Sequence, residues 1–387
     1  MKSLHVIPAV APRYGGPSKA IFEMCRSLRE AGCETVVCTT DADGASRLNV
    51  PLGRIQTYDS TPTIFFKRQF SEGLKYSRPL ARWLRKNVSG FDIVHIHAVF
   101  SHACVTAARE CREQNVPYIV RPLGTLDPWG LSQKKLRKKL FMLFGAESML
   151  CNASAIHYTA EGERLAVEQR RKYAIGKVIP LGLDLETYNQ AGSNQETNIG
   201  QREKAPYILF LSRLHPKKGL ELLLDAFLPL SRESGFERWN LVVAGEGEQT
   251  YVDKLKERAR QLGGIEKIIF TGWLSGEAKT RTLRDCQLLA LTSHQENFGI
   301  CVVEALACGI PVLVSTQIDL AQEIGAAEAG WVVPLTTSDV RDAMKSAMLD
   351  AESRVRKGQA GIRFAQQFAA PAVASQLISL YRSLIAA

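Results

Sequence analysis

The sequence predicts an α/β protein with two parallel sheets, one in each half of the chain, and helices on both faces of each sheet. Three observations predict this. The chain has 387 residues, more than one hydrophobic core usually fills, so two domains are expected. Short β-branched apolar runs alternate with stretches of helical period, and strand–helix–strand order yields parallel sheets. Between the two series, YNQAGSNQETNIGQREKAP (188–206) is polar with no apolar period and reads as the linker.

The first series of strands is LHVIPAV, ETVVCTT, FDIVHIHAV, PYIVRPL, AIHYT and KVIPLGLD. The stretch AIFEMCRSLREAG behind the first strand places Ile21, Met24, Cys25 and Leu28 on one helix face, with Pro17 in the first turn and Gly32 past the end. The second series is YILFLSRL, LVVAGEG, KIIFTGWL, QLLALTS, PVLVST and GWVVPL. FAAPAVASQLISLYRSLIAA closes the chain as an amphipathic helix with a proline near its start. The expected domains are 1–185, joined by the helix at about 370–387, and 186–369.

Composition narrows the function classes. No apolar run approaches the roughly 18 residues that span a bilayer, and MKSLHVIPAVAP is too short and proline-broken for a secretory signal, reading as a first strand. Nine cysteines occur without a CxxC pair, several inside apolar patterns (Cys25, Cys38, Cys301). This is core usage in a reducing compartment, so the cytoplasm is the expected location, with neither a disulfide framework nor a metal site. The net charge is +10, and residues 1–190 hold 27 Lys or Arg against 17 Asp or Glu while 191–387 balance at 22 against 22. An excess confined to one domain suits an anionic surface facing that domain. Nucleic acid is not an expected partner.

The most informative stretch is ENFGICVVE, residues 296–304, which runs on into ALACGIPVLVS. Glu296 follows an apolar run where a parallel strand ends, the place where open α/β sheets gather ligands. Glu304 falls about two turns into the next helix. Taken alone the pair is equally a helix-start acid and a surface residue. Upstream, SRLHPKKG (212–219) offers Arg213, a fork-shaped cation, and Lys218, a point-like one, suited to two phosphates. By itself that is also a solvated basic turn, and Lys217 reads as surface. In PRYGGPS, Gly15 and Gly16 let backbone approach a diphosphate or acceptor, and Gly245 in GEGE marks another strand-end loop.

Together, SRLHPKKG and ENFGICVVE resemble the retaining glycosyltransferases of family 4. The match is strong from about Tyr207 to Pro334 and looser in the first half. That resemblance implies the GT-B architecture, two Rossmann-like domains facing each other across a cleft with the C-terminal helix crossing back to the first. It implies a nucleotide-diphosphate sugar donor of UDP or GDP type. Arg213 and Lys218 would hold the diphosphate, Glu296 would contact the donor sugar, and Glu304 would accept the ribose hydroxyls. Amides at Phe298, Gly299 and Ile300 would add donors to the phosphates, and no metal is implied. Transfer would retain the anomeric configuration without an enzymic nucleophile, the leaving phosphate taking the acceptor proton through an oxocarbenium-like transition state. The expected product class is a cell-surface polysaccharide built on a glycan or lipid-linked hydroxyl. A GT-B epimerase or phosphorylase and a non-catalytic nucleotide-sugar-binding protein are the alternatives.

Two departures and one patch complete the reading. Where many relatives carry VxxHG, this chain has VRPLG, with Leu123 at the histidine position. Nearby candidates for acceptor contact are Arg121, Asp127 and His97, the last equally a core histidine. Asp41-Ala42-Asp43 imitates a metal-binding DxD, but a following glycine makes it a turn. Lys134, Lys135, Arg137, Lys138 and Lys139 adjoin Leu140, Phe141, Leu143 and Phe144, and FFKRQF (65–70) has similar character. Such a basic and apolar patch suits the inner face of an anionic membrane, or else is a solvated helix.

Overall fold

The computed structural model describes residues 1–132, 135–189 and 205–386. It divides into two compact units, Met1–Leu183 with Phe368–Ala387, and Asp184–Gln367. The stretch read as a linker lies mostly outside the described residues. The chain leaves the first unit earlier, at Leu183, for a visible reason. The Leu183 N–H donates to the Phe368 carbonyl at 2.8 Å, and its own carbonyl accepts from the Ala370 N–H at 2.9 Å. The outgoing and returning segments are thus zipped together inside the first unit.

That unit contains β1 (Lys2–Ala9), β2 (Glu34–Thr40), β3 (Ala42–Asp43), β4 (Ser46–Arg47), β5 (Ile55–Tyr58), β6 (Thr61–Phe66), β7 (Ile93–His97), β8 (Tyr118–Arg121), β9 (Ala155–Tyr158) and β10 (Gly176–Val178). Eight of these form one sheet in the order β10-β9-β8-β7-β1-β2-β6-β5. All its pairings are parallel except β5 with β6. The β5–β6 hairpin has no counterpart in the sequence reading. Its two-residue turn, Asp59-Ser60, takes positive φ at both positions without the glycine that usually announces such a turn. It also absorbs FFKRQF: Phe65 and Phe66 are buried in the core, Arg68 is buried against Glu72, and only Lys67 and Phe70 are exposed.

The helices of this unit are α1 (Gly16–Glu30), α2 (Arg78–Asn87), α3 (His102–Glu113), α4 (Pro128–Ser132), α5 (Lys135–Phe141), α6 (Glu147–Cys151), α7 (Glu161–Glu168) and, returning from the second unit, the C-terminal helix Ala370–Ile385. Ile21, Met24, Cys25 and Leu28 are all buried on α1, as their spacing requires. The DxD-like segment is β3 of a two-residue ribbon, not a bare turn. Its carboxylates are engaged, Asp41 accepting from the Arg68 backbone N–H at 2.6 Å and Asp43 pairing with Arg13 at 3.1 Å.

A layer of imidazoles runs through this sheet. His5 lies level with His95 on the neighbouring strand, and His97 lies level with Arg121. His157 is on β9, and all four histidines are fully buried. His157 Nε2 must donate to the Ile179 carbonyl at 2.7 Å, because a carbonyl only accepts. In the neutral ring its Nδ1 is then an acceptor, so His95 Nε2 donates to it at 3.2 Å, and His95 Nδ1 accepts from the Tyr381 hydroxyl at 2.7 Å. A second link joins His5 Nδ1 to His97 Nε2 at 3.1 Å. Burial, reinforced by the Arg121 guanidinium and the neighbouring rings, lowers all four pKa values, to about 3 for His5 and His157. His5, His95 and His97 offer nitrogens within 4.8 Å of one another, close enough to bind a metal ion. Their hydrogen bonds and the cation beside them already account for the arrangement.

This layer makes stability depend on pH. The folded pKa values lie below the unfolded value near 6.5, so the unfolded chain binds more protons between them. The contribution is complete above pH 6.5 and is lost as pH falls toward 3, at about 1.4 kcal/mol per pH unit for each histidine. Urea unfolding at pH 7, 6, 5 and 4 should show a steep fall with a multi-histidine slope. A flat profile would mean the rings are already protonated in the native layer.

Candidate active site

In the second unit the strands are β11 (Tyr207–Leu211), β12 (Asn240–Ala244), β13 (Ile268–Gly272), β14 (Leu288–Leu291), β15 (Val312–Ser315) and β16 (Gly330–Val333), in the order β13-β12-β11-β14-β15-β16. All are parallel. The order reverses between β11 and β14, where loops leave their C-terminal ends in opposite directions and open a crevice. Both sequence motifs fall in these two loops. The helices are α8 (Glu186–Asn189), α9 (Leu220–Leu230), α10 (Gln249–Gln261), α11 (Gly276–Asp285), α12 (Ile300–Ala307), α13 (Ala321–Ala326), α14 (Thr337–Leu349) and α15 (Ala351–Ala365), leaving α16 (Ala370–Ile385) as the C-terminal helix of the first unit.

The loop after β11 is pressed onto the end of β14. Gly219 has φ +66°, and a Cβ there would lie 2.0 Å from the Thr292 carbonyl. Thr292 Oγ1 donates to the Gly219 carbonyl at 2.8 Å, and the His294 N–H to the Lys217 carbonyl at 2.8 Å. The Glu296 backbone is held from the other side, its N–H on the Gln317 carbonyl and its carbonyl accepting from Asp319. These contacts bring Lys218 and Glu296 together as an ion pair in which Nζ donates to Oε2, with both side chains mostly buried. Arg213 is exposed, with no ion-pair partner among the described residues. His215 has its pKa lowered by burial and by the adjacent Arg213, Lys217 and Lys218, marking the loop as strongly positive.

Gly299, in the left-handed region, starts α12 without a side-chain cap, and Ile300 is its first residue. The first-turn amides therefore lack a side-chain acceptor. Phe298 beside them is buried. Glu304 lies one turn into α12, not two, because the helix begins only at Ile300, and it is 1% exposed. Lys279 on α11 donates to its Oε1 at 2.6 Å, and the Tyr188 hydroxyl on α8 donates to the same oxygen at 2.7 Å. Neither partner was legible in the sequence. Lys279 sits in an ordinary charged helix and Tyr188 in the stretch read as linker; the only signal was that a buried carboxylate needs a cation. Cys301, between the two glutamates, has its pKa raised to about 12 by burial and by both carboxylates, so it is held as a thiol and is a poor nucleophile.

Of the remaining expected residues, Gly245 is in this unit and Gly15, Gly16, His97, Arg121 and Asp127 are in the first. Gly245 ends β12, where a Cβ would be 1.8 Å from the Ser212 carbonyl; its glycine requirement comes from that close approach. Gly15 (φ 73°) and Gly16 open α1 in the first unit. His97 and Arg121 belong to the buried imidazole layer. Asp127 is buried and its Oδ1 accepts from the Gly130 N–H at the start of α4. Leu123 takes φ +59° in the turn where Gly124 donates to buried Glu163 at 2.9 Å.

Residues 193–364 match the family described as Glycosyl transferases group 1, and residues 15–182 match the Glycosyl transferase 4-like domain. The chain belongs to the family 4 type of GT-B glycosyltransferases. Among relatives of this chain, the D-inositol 3-phosphate glycosyltransferase of Corynebacterium glutamicum is 27% identical over 59% of this chain, which spans about half (54%) of that relative's length. The mannosylfructose-phosphate synthase of Agrobacterium fabrum is 33% identical over 36% of this chain and 32% of its own. The fold is shared with HepE of Anabaena, solved with UDP and glucose (TM-score 0.79, 20% identity, 99% and 100% of the two chains), and with sucrose-phosphate synthase of Thermosynechococcus elongatus (TM-score 0.79, 19% identity, 100% and 99%).

Since Gly219 carries Lys218 onto Glu296, Gly219→Ala should lower unfolding stability by about 2 kcal/mol or more, from left-handed strain and the carbonyl clash. Urea denaturation checks this. Unchanged stability would mean that the loop does not rest on the β14 end.

Proposed function

We propose that the protein transfers a hexosyl or N-acetylhexosaminyl group from a nucleotide-diphosphate sugar to a hydroxyl of a glycan or lipid-linked acceptor, with retention at the anomeric carbon. The observation that carries this reading is the gathering of Arg213, Lys218, Glu296 and Glu304 at the strand-order reversal of the second unit. The names of the two relatives given above, a glycosyltransferase and a sugar-phosphate synthase, and the UDP and UDP-glucose complexes of HepE support the donor class.

The chemistry follows from the site. Cleaving the bond between sugar and diphosphate puts charge on the leaving oxygens, and Arg213, Lys218 and the uncapped start of α12 are positive groups already in position. Lys218 lies between that charge and Glu296, so the carboxylate facing the sugar also orients the cation facing the phosphate. With Cys301 held as a thiol and both carboxylates ion-paired, none of these described side chains is poised as a nucleophile, which suits front-face attack by the acceptor. Cationic side chains fill the role a divalent ion plays elsewhere, so turnover should survive a chelator. Alanine at Arg213 or Lys218 should reduce turnover by roughly 10²–10³-fold, as loss of a transition-state donor does. Steady-state kinetics with UDP- and GDP-sugars checks it. Near-normal rates in both variants, or activity lost in EDTA and restored by manganese, would refute the assignment.

The acceptor side belongs, in this reading, to the first unit, which holds 28 Lys or Arg against 15 Asp or Glu, where the second holds 21 against 24. Lys134 lies outside the described residues. The rest of its run forms α5, where Lys135 and Lys139 are exposed beside Leu136 (75%), Leu143 (76%) and Phe144 (74%). Arg137 lies against Gly73, so the loop carrying exposed Phe70 (81%) and Leu74 is its neighbour. Among the described residues no helix is long and apolar enough to cross a membrane; this patch would instead lie on anionic lipid and present a lipid-linked acceptor to a cytoplasmic enzyme. Replacing Lys135 and Lys139 with Gln and Leu143 and Phe144 with Ser should abolish co-sedimentation with phosphatidylglycerol vesicles while sparing donor hydrolysis. Equal binding by the variant, or binding indifferent to salt, would make α5 a solvated face.

A further inference from the structure

Glu304 is the most completely enclosed charged group in the candidate site, and its surroundings suggest more than ion pairing. Lys279 Nζ lies 2.6 Å from Oε1 and 2.5 Å from Oε2, and Tyr188 Oη donates to Oε1 at 2.7 Å. Oε2 itself is buried and accepts no well-formed hydrogen bond. Oε1 thus takes both formed hydrogen bonds, while Oε2 has only the Lys279 ammonium beside it. A carboxylate free to rotate about its last torsion would present either oxygen; two donors converging on Oε1 remove that freedom. The two donors are themselves fixed by one helix. Arg284, on α11 with Lys279, donates from Nη2 to the Thr187 carbonyl at 2.7 Å and from Nε to the Tyr188 carbonyl at 3.4 Å. Thr187 Oγ1 in turn bonds Asp184 Oδ2 at 3.1 Å, at the point where the chain enters this unit.

We infer that Lys279 and Tyr188 are positioning residues that lock Glu304 with Oε2 directed to the donor's ribose hydroxyls, so that ribose recognition depends on α8 and α11 as well as on α12. The inference rests on the reading that Glu304 receives the ribose of a nucleotide-sugar donor. Lys279 sets a cation against a carboxylate that is buried. Tyr188 sets which oxygen is offered. Neither touches the reacting atoms, so their loss should appear in donor affinity and not in the chemical step.

The test compares each ribonucleotide with its 2′-deoxy counterpart, UDP with 2′-deoxy-UDP and GDP with 2′-deoxy-GDP, by calorimetric titration of wild type, Glu304→Gln, Tyr188→Phe, Lys279→Met and Lys279→Arg. Wild type should favour the ribonucleotide by roughly tenfold or more, the usual worth of a hydrogen bond to a charged group. Tyr188→Phe and Lys279→Met should collapse that preference by weakening ribonucleotide binding alone, Lys279→Arg should recover part of it, and kcat at saturating donor should stay within about threefold of wild type. Equal weakening of both nucleotides, or an unchanged preference in folded variants, would overturn the positioning role, because a general structural defect does not distinguish a hydroxyl from a hydrogen. If wild type and Glu304→Gln show no preference between them, the ribose reading of Glu304 fails instead. Thermal unfolding of each variant accompanies the titrations, and Tyr188→Phe, which removes a single oxygen, keeps the test decisive if Lys279→Met does not fold.

Discussion

A carboxylate inside a protein is tolerable only with a compensating charge or hydrogen bonds, and in the second unit that constraint organises the site. Glu304 is buried on α12, the helix that the β14 loop feeds, and leaving it unpaired there would be strongly destabilising. Its compensation comes from Lys279 and Tyr188, which commits α8 and α11 to fixed places around α12. Nearer the surface, Glu296 and Lys218 repeat the device in a half-open form. In the proposed reading the two pairs suit two tasks: the enclosed carboxylate would anchor a neutral diol, while the partly exposed pair would admit a diphosphate and yield its cation to it.

The placement of these charges depends on backbone groups that carry no chemistry. Gly219 and Gly245 each lie where a side chain would strike a carbonyl, Thr292 in one case and Ser212 in the other. They let three strand ends converge, so that residues 78 positions apart in sequence meet. In the first unit the equivalent region is occupied differently. Within the imidazole layer, the run from His157 through His95 to Tyr381 ties the C-terminal helix to the sheet by hydrogen bonds. His97 and Arg121 are buried in the same layer.

How much of this could be read from the sequence follows from the range of the interactions. The alternation of strands and helices, the face of α1 and the ENFGICVVE and SRLHPKKG motifs are local patterns, and the structure places both motifs at the strand-order reversal. What stayed hidden was long-range. Lys279 and Tyr188 reach Glu304 from 25 and 116 residues away, and no spacing rule links them. The β5–β6 hairpin was masked because Asp59-Ser60 makes its turn without glycine. The start of α12 was misplaced because Gly299 in the left-handed region delays the helix, so that Glu304 lies one turn in and not two. The basic run and its neighbours Leu143 and Phe144 were visible, whereas the exposure of Leu136 and Leu74 depends on which residues the core left uncovered.

A crystal structure of the protein with a bound nucleoside diphosphate tests the central claim most directly. The account predicts the ribose hydroxyls within about 3.2 Å of the Glu304 carboxylate, the diphosphate against Arg213, Lys218 and the first turn of α12, and no metal ion bridging the phosphates. A nucleotide bound elsewhere, or bound in the crevice with Glu304 closed on Tyr188 and Lys279 and touching no hydroxyl, would contradict it.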